Sequence, residues 1–156
     1  MDDVESLAKH ANNRRVSINL RDRFPYPYRI EDARNFIERA ITERREKSHC
    51  IEIDGAAVGG IGITIGEDVY RLSAEMGYWL AEEFWGQGIM SEVVPVFVNH
   101  CFDKFSLKRI YATTYSSNPA SARVLEKSGF VFEGRLHKHV IKDRQILDSL
   151  LYAKTV

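Results

Sequence analysis

Gly86 and Gly88 stand two apart in the stretch Glu82-Glu83-Phe84-Trp85-Gly86-Gln87-Gly88-Ile89-Met90-Ser91-Glu92. Glycine lets a backbone approach a ligand where a Cβ would collide. Behind the pair, apolar residues recur at Ile89, Val93, Phe97, Cys101 and Phe105, with Val94, Val98 and Phe102 beside them. That spacing is one face of a helix. Ahead of it, Glu75-Met76-Gly77-Tyr78-Trp79-Leu80 reads as a strand. The order strand, glycine loop, helix puts unpaired amides and the positive end of a helix dipole beside the loop. Such an arrangement seats a phosphate. The same residues also make a plain tight turn, and the motif alone leaves both readings open. It is not the dinucleotide fingerprint, since no third glycine follows. It is not a P-loop, since no Gly-Lys-Ser/Thr closes it.

The cysteines offer less. Cys50 and Cys101 lie in apolar contexts without metal-ligand spacing, and no metal site is expected. They read as buried free thiols of a reducing compartment, not as nucleophiles.

Positioning these residues requires an ordered set of elements. Asp3 to Asn12 predicts a short helix through Val4, Leu7, Ala8 and Ala11. Arg21 to Tyr28 is irregular, held extended by Pro25 and Pro27. This aromatic loop either lines a cleft or packs on itself. Glu31 to Arg45 predicts a helix, with the charges of Glu43 to Lys47 as its solvated end. Then the period changes. His49 to Ile53 and Ala56 to Ile65 predict a hairpin through Asp54-Gly55, and Gly59-Gly60 suggests a bulge or twist. Tyr70 to Leu80 is the third antiparallel strand. The next helix reaches about Lys104, and Pro95 predicts a kink or irregular early turns, since a proline costs ~3 kcal/mol inside a regular helix. Lys108 to Tyr115 is another strand. Asn118 caps a helix with Pro119 at its first position, and Gly129 ends it. Phe130 to Val140 and Ile146 to Ala153 are the last strands, turning at Lys142-Asp143-Arg144.

The 156 residues suit one domain, 1–156, with one core. Lys+Arg and Asp+Glu are both 22, so no global field attracts nucleic acid or anionic lipid. No apolar run approaches a membrane span, and Met-Asp-Asp lacks the features of a secretory signal. The expectation is a cytoplasmic protein, monomer or homodimer.

Three stretches together carry a resemblance. Tyr78-Trp79-Leu80, then Trp85-Gly86-Gln87-Gly88-Ile89-Met90, then Asn118-x-x-Ser121-x-x-x-Leu125-Glu126-Lys127-x-Gly129-Phe130 resemble the GNAT superfamily of N-acetyltransferases. The likeness runs from about Asp3 to Tyr152 and is greatest to the group of ribosomal-protein N-terminal acetyltransferases. It implies an α/β fold with a mixed, mostly antiparallel sheet and helices on both faces. Strands 70–80 and 108–115 would splay apart to admit an acetyl–pantetheine arm. Family members usually begin with a strand ahead of the first helix, whereas this sequence starts at the helix; the expectation is either a start that lies further upstream or a sheet without that edge strand.

The resemblance implies acetyl-CoA as donor and a primary amine as acceptor. Gly86, Gln87, Gly88, Ile89, Met90 and Ser91 would bind pyrophosphate through backbone amides. Trp85 and Met90 depart from the family's usual Gln/Arg and Gly/Ala at their places. Tyr78, Trp79 and Leu80 would pair with the pantetheine amides, and a Leu80-region amide would face the oxyanion. Asn118 would reach the pantetheine or thioester, or act only as a cap. Ser121 sits where related enzymes place a serine that protonates the leaving thiolate, and would otherwise be an exposed serine on a first helical turn. For the base, Glu75 points to the opposite strand face from Tyr78. His139 lies near the place of a glutamate in related enzymes, now Val140, and His137 shares its face. Each is otherwise a surface or edge residue. The expected acceptor is a protein or peptide α-amine. The alternatives are a polyamine, amino acid or xenobiotic acceptor, or a non-catalytic acyl-CoA-binding module.

Overall fold

The computed structural model describes residues 3–156. The elements run α1 (Val4–Ala11), α2 (Arg14–Ser17), α3 (Ile30–Thr42), β1 (Glu46–Ile53), β2 (Ala56–Ile65), β3 (Ser73–Leu80), α4 (Ile89–Phe105), β4 (Arg109–Tyr115), α5 (Pro119–Lys127), β5 (Val131–Lys142) and β6 (Gln145–Thr155). The strands form one six-stranded sheet in the order β1-β2-β3-β4-β6-β5. Among the described residues only β3 and β4 are parallel neighbours. Among the described residues no strand precedes α1, and β1 is one edge of the sheet.

Alternation divides the sheet's side chains between two layers. Ile61 and Ile63 of β2 with Met76 and Leu80 of β3 pack against Val94, Phe97, Val98 and Cys101 of α4 and Leu125 of α5. On the other face, α1 and α3 bury Leu7, Ala8, Ala11 and Ala33 against Ala57, with Phe24, Phe36 and Trp79 around them. Helices therefore cover both faces.

Local chemistry explains the turns. Asp54 and Gly55 have φ of 50° and 77°, and Asp143 and Arg144 of 49° and 64°. Both hairpins close on two consecutive left-handed residues, the pattern whose twist suits antiparallel strands. Gly129 (φ 83°) stops α5. Its N–H bonds the carbonyl of Glu126, and that of Phe130 bonds Leu125, which satisfies the orphan carbonyls of the last turn.

The structure departs from the sequence reading in several places. α3 ends at Thr42, and the charged run after it already enters β1 at Glu46. β3 begins at Ser73, because Asp68–Tyr70 form a single 3-10 turn. The helix α4 runs unbroken through Pro95. Val94 and Val98, fully buried on either side, hold it by packing. The bulge in β2 falls between Ala57 and Gly59, which oppose Glu52 and Ile51. Cys50 is exposed, not buried, on the edge strand β1. His137 and His139 do not share a face. Four steps of β5, Leu136 to Val140, oppose two of β6, and Lys138 is left-handed (φ 50°). The alternation breaks there.

Candidate active site

The sheet opens between β3 and β4. Their pairing covers only Ser73–Arg109, Ala74–Ile110 and Glu75–Tyr111. Beyond it, Met76 to Leu80 and Ala112 to Tyr115 diverge and line a cavity of about 980 Å³. The N–H of Ala81 bonds Val58 on β2, so by alternation the backbones of Trp79 and Gly77 also face β2. Those of Tyr78 and Leu80 face the opening. The carbonyl of Leu80 accepts a bond from the indole of Trp85 at 2.7 Å. Its amide, and both backbone groups of Tyr78, remain directed at the cleft.

At the cleft's outer end lies the start of α4. Gly86 and Gly88 have φ of 75° and 83°, and a Cβ built on either meets nothing within 4 Å. The glycines are therefore demanded by backbone conformation, with open space in front of them. The first helical bonds reach the Gly88 carbonyl from Ser91 (2.9 Å) and Glu92 (3.3 Å). The amides of Ile89 and Met90 precede them. The side chain of Gln87 turns back to the Glu83 carbonyl at 3.0 Å, so only its backbone is available to a ligand. Met90 is buried in the main core and, with Ser91, lines the cavity.

At the inner end, the Asn118 side chain accepts the Ser121 N–H at 3.2 Å and caps α5. The cap uses the amide oxygen; the amide nitrogen is the group left for a ligand. The Ser121 hydroxyl lies 2.9 Å from the Tyr78 phenol, which also reaches the Ser121 carbonyl at 3.2 Å. Burial pushes the Tyr78 phenol up to about 12, against a smaller lowering by the Ser121 bond. The phenol is therefore a neutral donor throughout the physiological range. This pairing escapes sequence reading: Tyr78 stands out there only as a backbone contributor.

On the other sheet face the cavity is carved by small residues. Ser48, Gly60, Gly62 and Gly77 line it, bounded by Thr64, Glu75 and Trp79. Gly62 pairs with Gly77 and with Ser48 across three strands. The opposite wall comes from α3 through Asp32, Asn35, Phe36 and Arg39, and from the loop after α2 through Arg21, Arg23, Phe24, Pro25 and Tyr28. The loop residues both line the cleft and pack on one another: Phe24 meets Tyr28 at 4.8 Å and Trp79 at 5.3 Å between ring centroids.

Glu75 lies in this half and forms an ion pair with Arg21. His139 is exposed, lies outside the cavity lining, and bonds the buried Ser149 hydroxyl at 3.0 Å. His137 instead meets Asp148 at 3.3 Å. Asp148 and Ser149 are consecutive on β6, so the two histidines reach opposite faces. Neither cysteine lines the cavity. Among the described residues no cluster of His, Cys, Asp or Glu is suited to a metal.

A family model described as an acetyltransferase (GNAT) domain matches residues 1–131. The chain belongs to the GNAT acetyltransferase family. Among its relatives, the uncharacterized N-acetyltransferase YoaA of Bacillus subtilis is 34% identical over 96 residues, 62% of this chain and 54% of YoaA. The ribosomal-protein-serine acetyltransferase of Escherichia coli is 33% identical over 84 residues, 54% of this chain and 47% of that protein. The chain thus spans about half the length of these curated relatives. A solved structure of RimL, a ribosomal L7/L12 alpha-N-protein acetyltransferase in complex with coenzyme A, matches with a TM-score of 0.87 at 24% identity. It covers 98% of this chain and 88% of that one. That likeness makes the mixed, splayed sheet a GNAT fold. Among the described residues no helix is long and apolar enough to cross a membrane.

Proposed function

We propose that this GNAT chain transfers an acetyl group from acetyl-CoA to the α-amine of a protein or peptide, by direct attack within one ternary complex. The observation that carries the reading is the parting of β3 from β4 next to a helix start with unpaired amides. The residues fit such a donor. The open space over Gly86 and Gly88 and the amides of Ile89 and Met90 suit a pyrophosphate, with Gln87 and Ser91 completing the loop. The cleft-facing backbones of Tyr78 and Leu80 suit an extended amide chain, and the Asn118 amide nitrogen lies at its inner end. Trp79 contributes its indole to the acceptor half rather than its backbone to this arm.

Acetyl-CoA would supply an activated acyl group with a thiolate leaving group. The Leu80 amide would stabilise negative charge on the acyl oxygen. Ser121 would donate its proton to the departing sulfur, with Tyr78 holding the serine hydroxyl in place. Glu75, facing the acceptor half beside Arg21, would take the amine proton through water. His139 would take part only by way of Ser149 and solvent. Among the described residues the carboxylates that line the cavity, Glu75 and Asp32, are already engaged, which favours an α-amine. At pH 7 an α-amine is roughly a tenth neutral, whereas a lysine side chain is neutral to about 0.04%. The exposed free thiol of Cys50 supports a reducing, cytoplasmic setting.

The test is thiol release from acetyl-CoA with three acceptor sets: peptides with a free N-terminus, the same peptides blocked there but carrying one lysine, and small amines. The free N-terminal peptides are expected to have the highest kcat/KM at pH 7. Preference for the lysine peptides, or for a polyamine alone, would move the acceptor to another class. Acetyl-CoA binding without turnover on any amine would leave a binding module.

A further inference from the structure

We propose that the acceptor half of the cleft selects a substrate carrying negative charge close to its reactive amine, an acidic N-terminal peptide segment, with Arg39 as a specificity-determining residue. This rests on the acetyltransferase reading and narrows its substrate class. Among the described residues, the arginines Arg21, Arg23 and Arg39 line this half together with the carboxylates Asp32 and Glu75. Both carboxylates are already engaged. Glu75 pairs with Arg21. Asp32 accepts the Arg29 backbone N–H at 2.8 Å, as part of the capping box that starts α3. They offer little to an incoming cation.

Arg39 is placed differently. Asp32, Asn35, Phe36 and Arg39 recur at helical spacing, so one face of α3 is turned to the cavity. The Arg39 guanidinium is close enough to Tyr28 to lower its phenol's affinity for protons, although burial and then Asp32 outweigh this and raise the phenol to about 12. Among the described residues Arg39 forms no ion pair. Arg39 and the neighbouring Asn35 amide line the same cavity as Gly77, in front of which the sheet leaves open space. A planar guanidinium with no carboxylate of its own is suited to bind one bidentately. A polycation such as a polyamine would meet the Arg39 charge, with no free acid among the described lining residues to offset it.

The experiment uses the full chain and two readouts. Fluorescence anisotropy measures binding of labelled, N-acetylated peptides in the presence of coenzyme A. These resemble the product, so the readout needs no turnover. One peptide carries aspartates at its second and third positions, and its match carries lysines there. The acidic peptide is expected to bind at least about tenfold more tightly at low salt, and the gap should shrink as salt rises. Arg39→Glu should reverse the preference, and Arg39→Lys should restore part of it. Turnover of the unacetylated peptides should follow the same order. Equal binding of the two peptides, tighter binding of the lysine peptide, or an unchanged ratio in Arg39→Glu overturns the proposal. If both peptides are acetylated equally, the selection fails while the acetyltransferase reading stands. If neither is acetylated although the acidic one binds selectively, the selection stands and the reaction fails.

Discussion

Tyr78 and Ser121 are 43 residues apart in the chain and 2.9 Å apart at their hydroxyls. Their pairing decides what each contributes. A serine hydroxyl is a poor acid, so its value lies in where its proton points. If the Tyr78 phenol donates to the Ser121 oxygen, the serine's own proton is left for the cleft. Ser121→Ala is expected to lower kcat by about 100-fold, with little change in the KM for acetyl-CoA. Tyr78→Phe keeps the ring but drops the donor, and is expected to lower kcat by about tenfold or more. The two substitutions share one function, so the double variant should be no slower than Ser121→Ala alone. Effects that multiply would show two hydroxyls acting separately. The raised Tyr78 phenol adds a pH test. Since it stays protonated up to about 12, no loss of rate through phenolate formation should appear by about pH 9, where a free α-amine acceptor is already mostly neutral. Before folding, Ser121 and the glycine loop stand out in the sequence because spacing and family likeness mark them. The partner of Ser121 does not, because only the closing of the sheet onto α5 brings Tyr78 to it.

At the scale of elements, much of the fold follows from local rules, and the exceptions have physical causes. The Asp54-Gly55 turn, the Asn118 cap and the Gly129 stop are each written in residue types that only certain backbone conformations accept. The helix α2, four residues from Arg14 to Ser17, is too short to show a period and is fixed instead by tertiary contacts. Its Arg15 pairs with Glu82, and Asn13 ahead of it bonds Glu82 at 2.8 Å. The wide bulge at His137 to His139 was equally hidden, since nothing in Lys138 announces a left-handed residue. Glycines in β2 and β3 separate structure from function in a testable way. A Cβ on Gly59 would lie 2.6 Å from the Trp79 carbonyl oxygen, so β3 would have to shift. Gly59→Ala should cost about 1–3 kcal/mol in urea unfolding and raise the KM for acetyl-CoA, because Leu80 follows at once. A Cβ on Gly77 meets nothing within 4 Å, and the residue lines the acceptor half. Gly77→Val should leave stability within about 0.5 kcal/mol of the parent and raise the acceptor KM several-fold. A destabilised Gly77→Val, or an unaffected Gly59→Ala, would contradict this division of the sheet's faces.

The whole molecule has a two-sided cleft, and this bears on the order of chemical events. The glycine loop at the start of α4 and the Ser121–Tyr78 pair lie with α4 and α5 on one side of the sheet. The wall of Arg39, Phe24 and Tyr28 lies on the other. The opening between β3 and β4 joins them, so donor and acceptor can enter from opposite sides and meet in the splay. Two substrates bound at once need no covalent relay. The thiols agree with this. Cys101 is fully buried in the main core, with its thiol pushed up to about 11 by burial, and Cys50 is raised as well, first by burial and then by Asp3 and Glu52. Both shifts keep the thiol protonated and poorly nucleophilic at neutral pH. Steady-state rates measured against both substrates should therefore give intersecting double-reciprocal lines. Coenzyme A should compete with acetyl-CoA and not with the acceptor. The folded double variant Cys50→Ala, Cys101→Ala should keep kcat within about threefold of the parent, since neither sulfur touches the cleft. Circular dichroism and a melting curve on the same sample would show whether filling of the core around Cys101 has been compromised. Parallel lines, together with an inactive but natively folded double variant, would require an acyl-enzyme on one of these sulfurs. In that event the splay would have to hold donor and acceptor in turn rather than together.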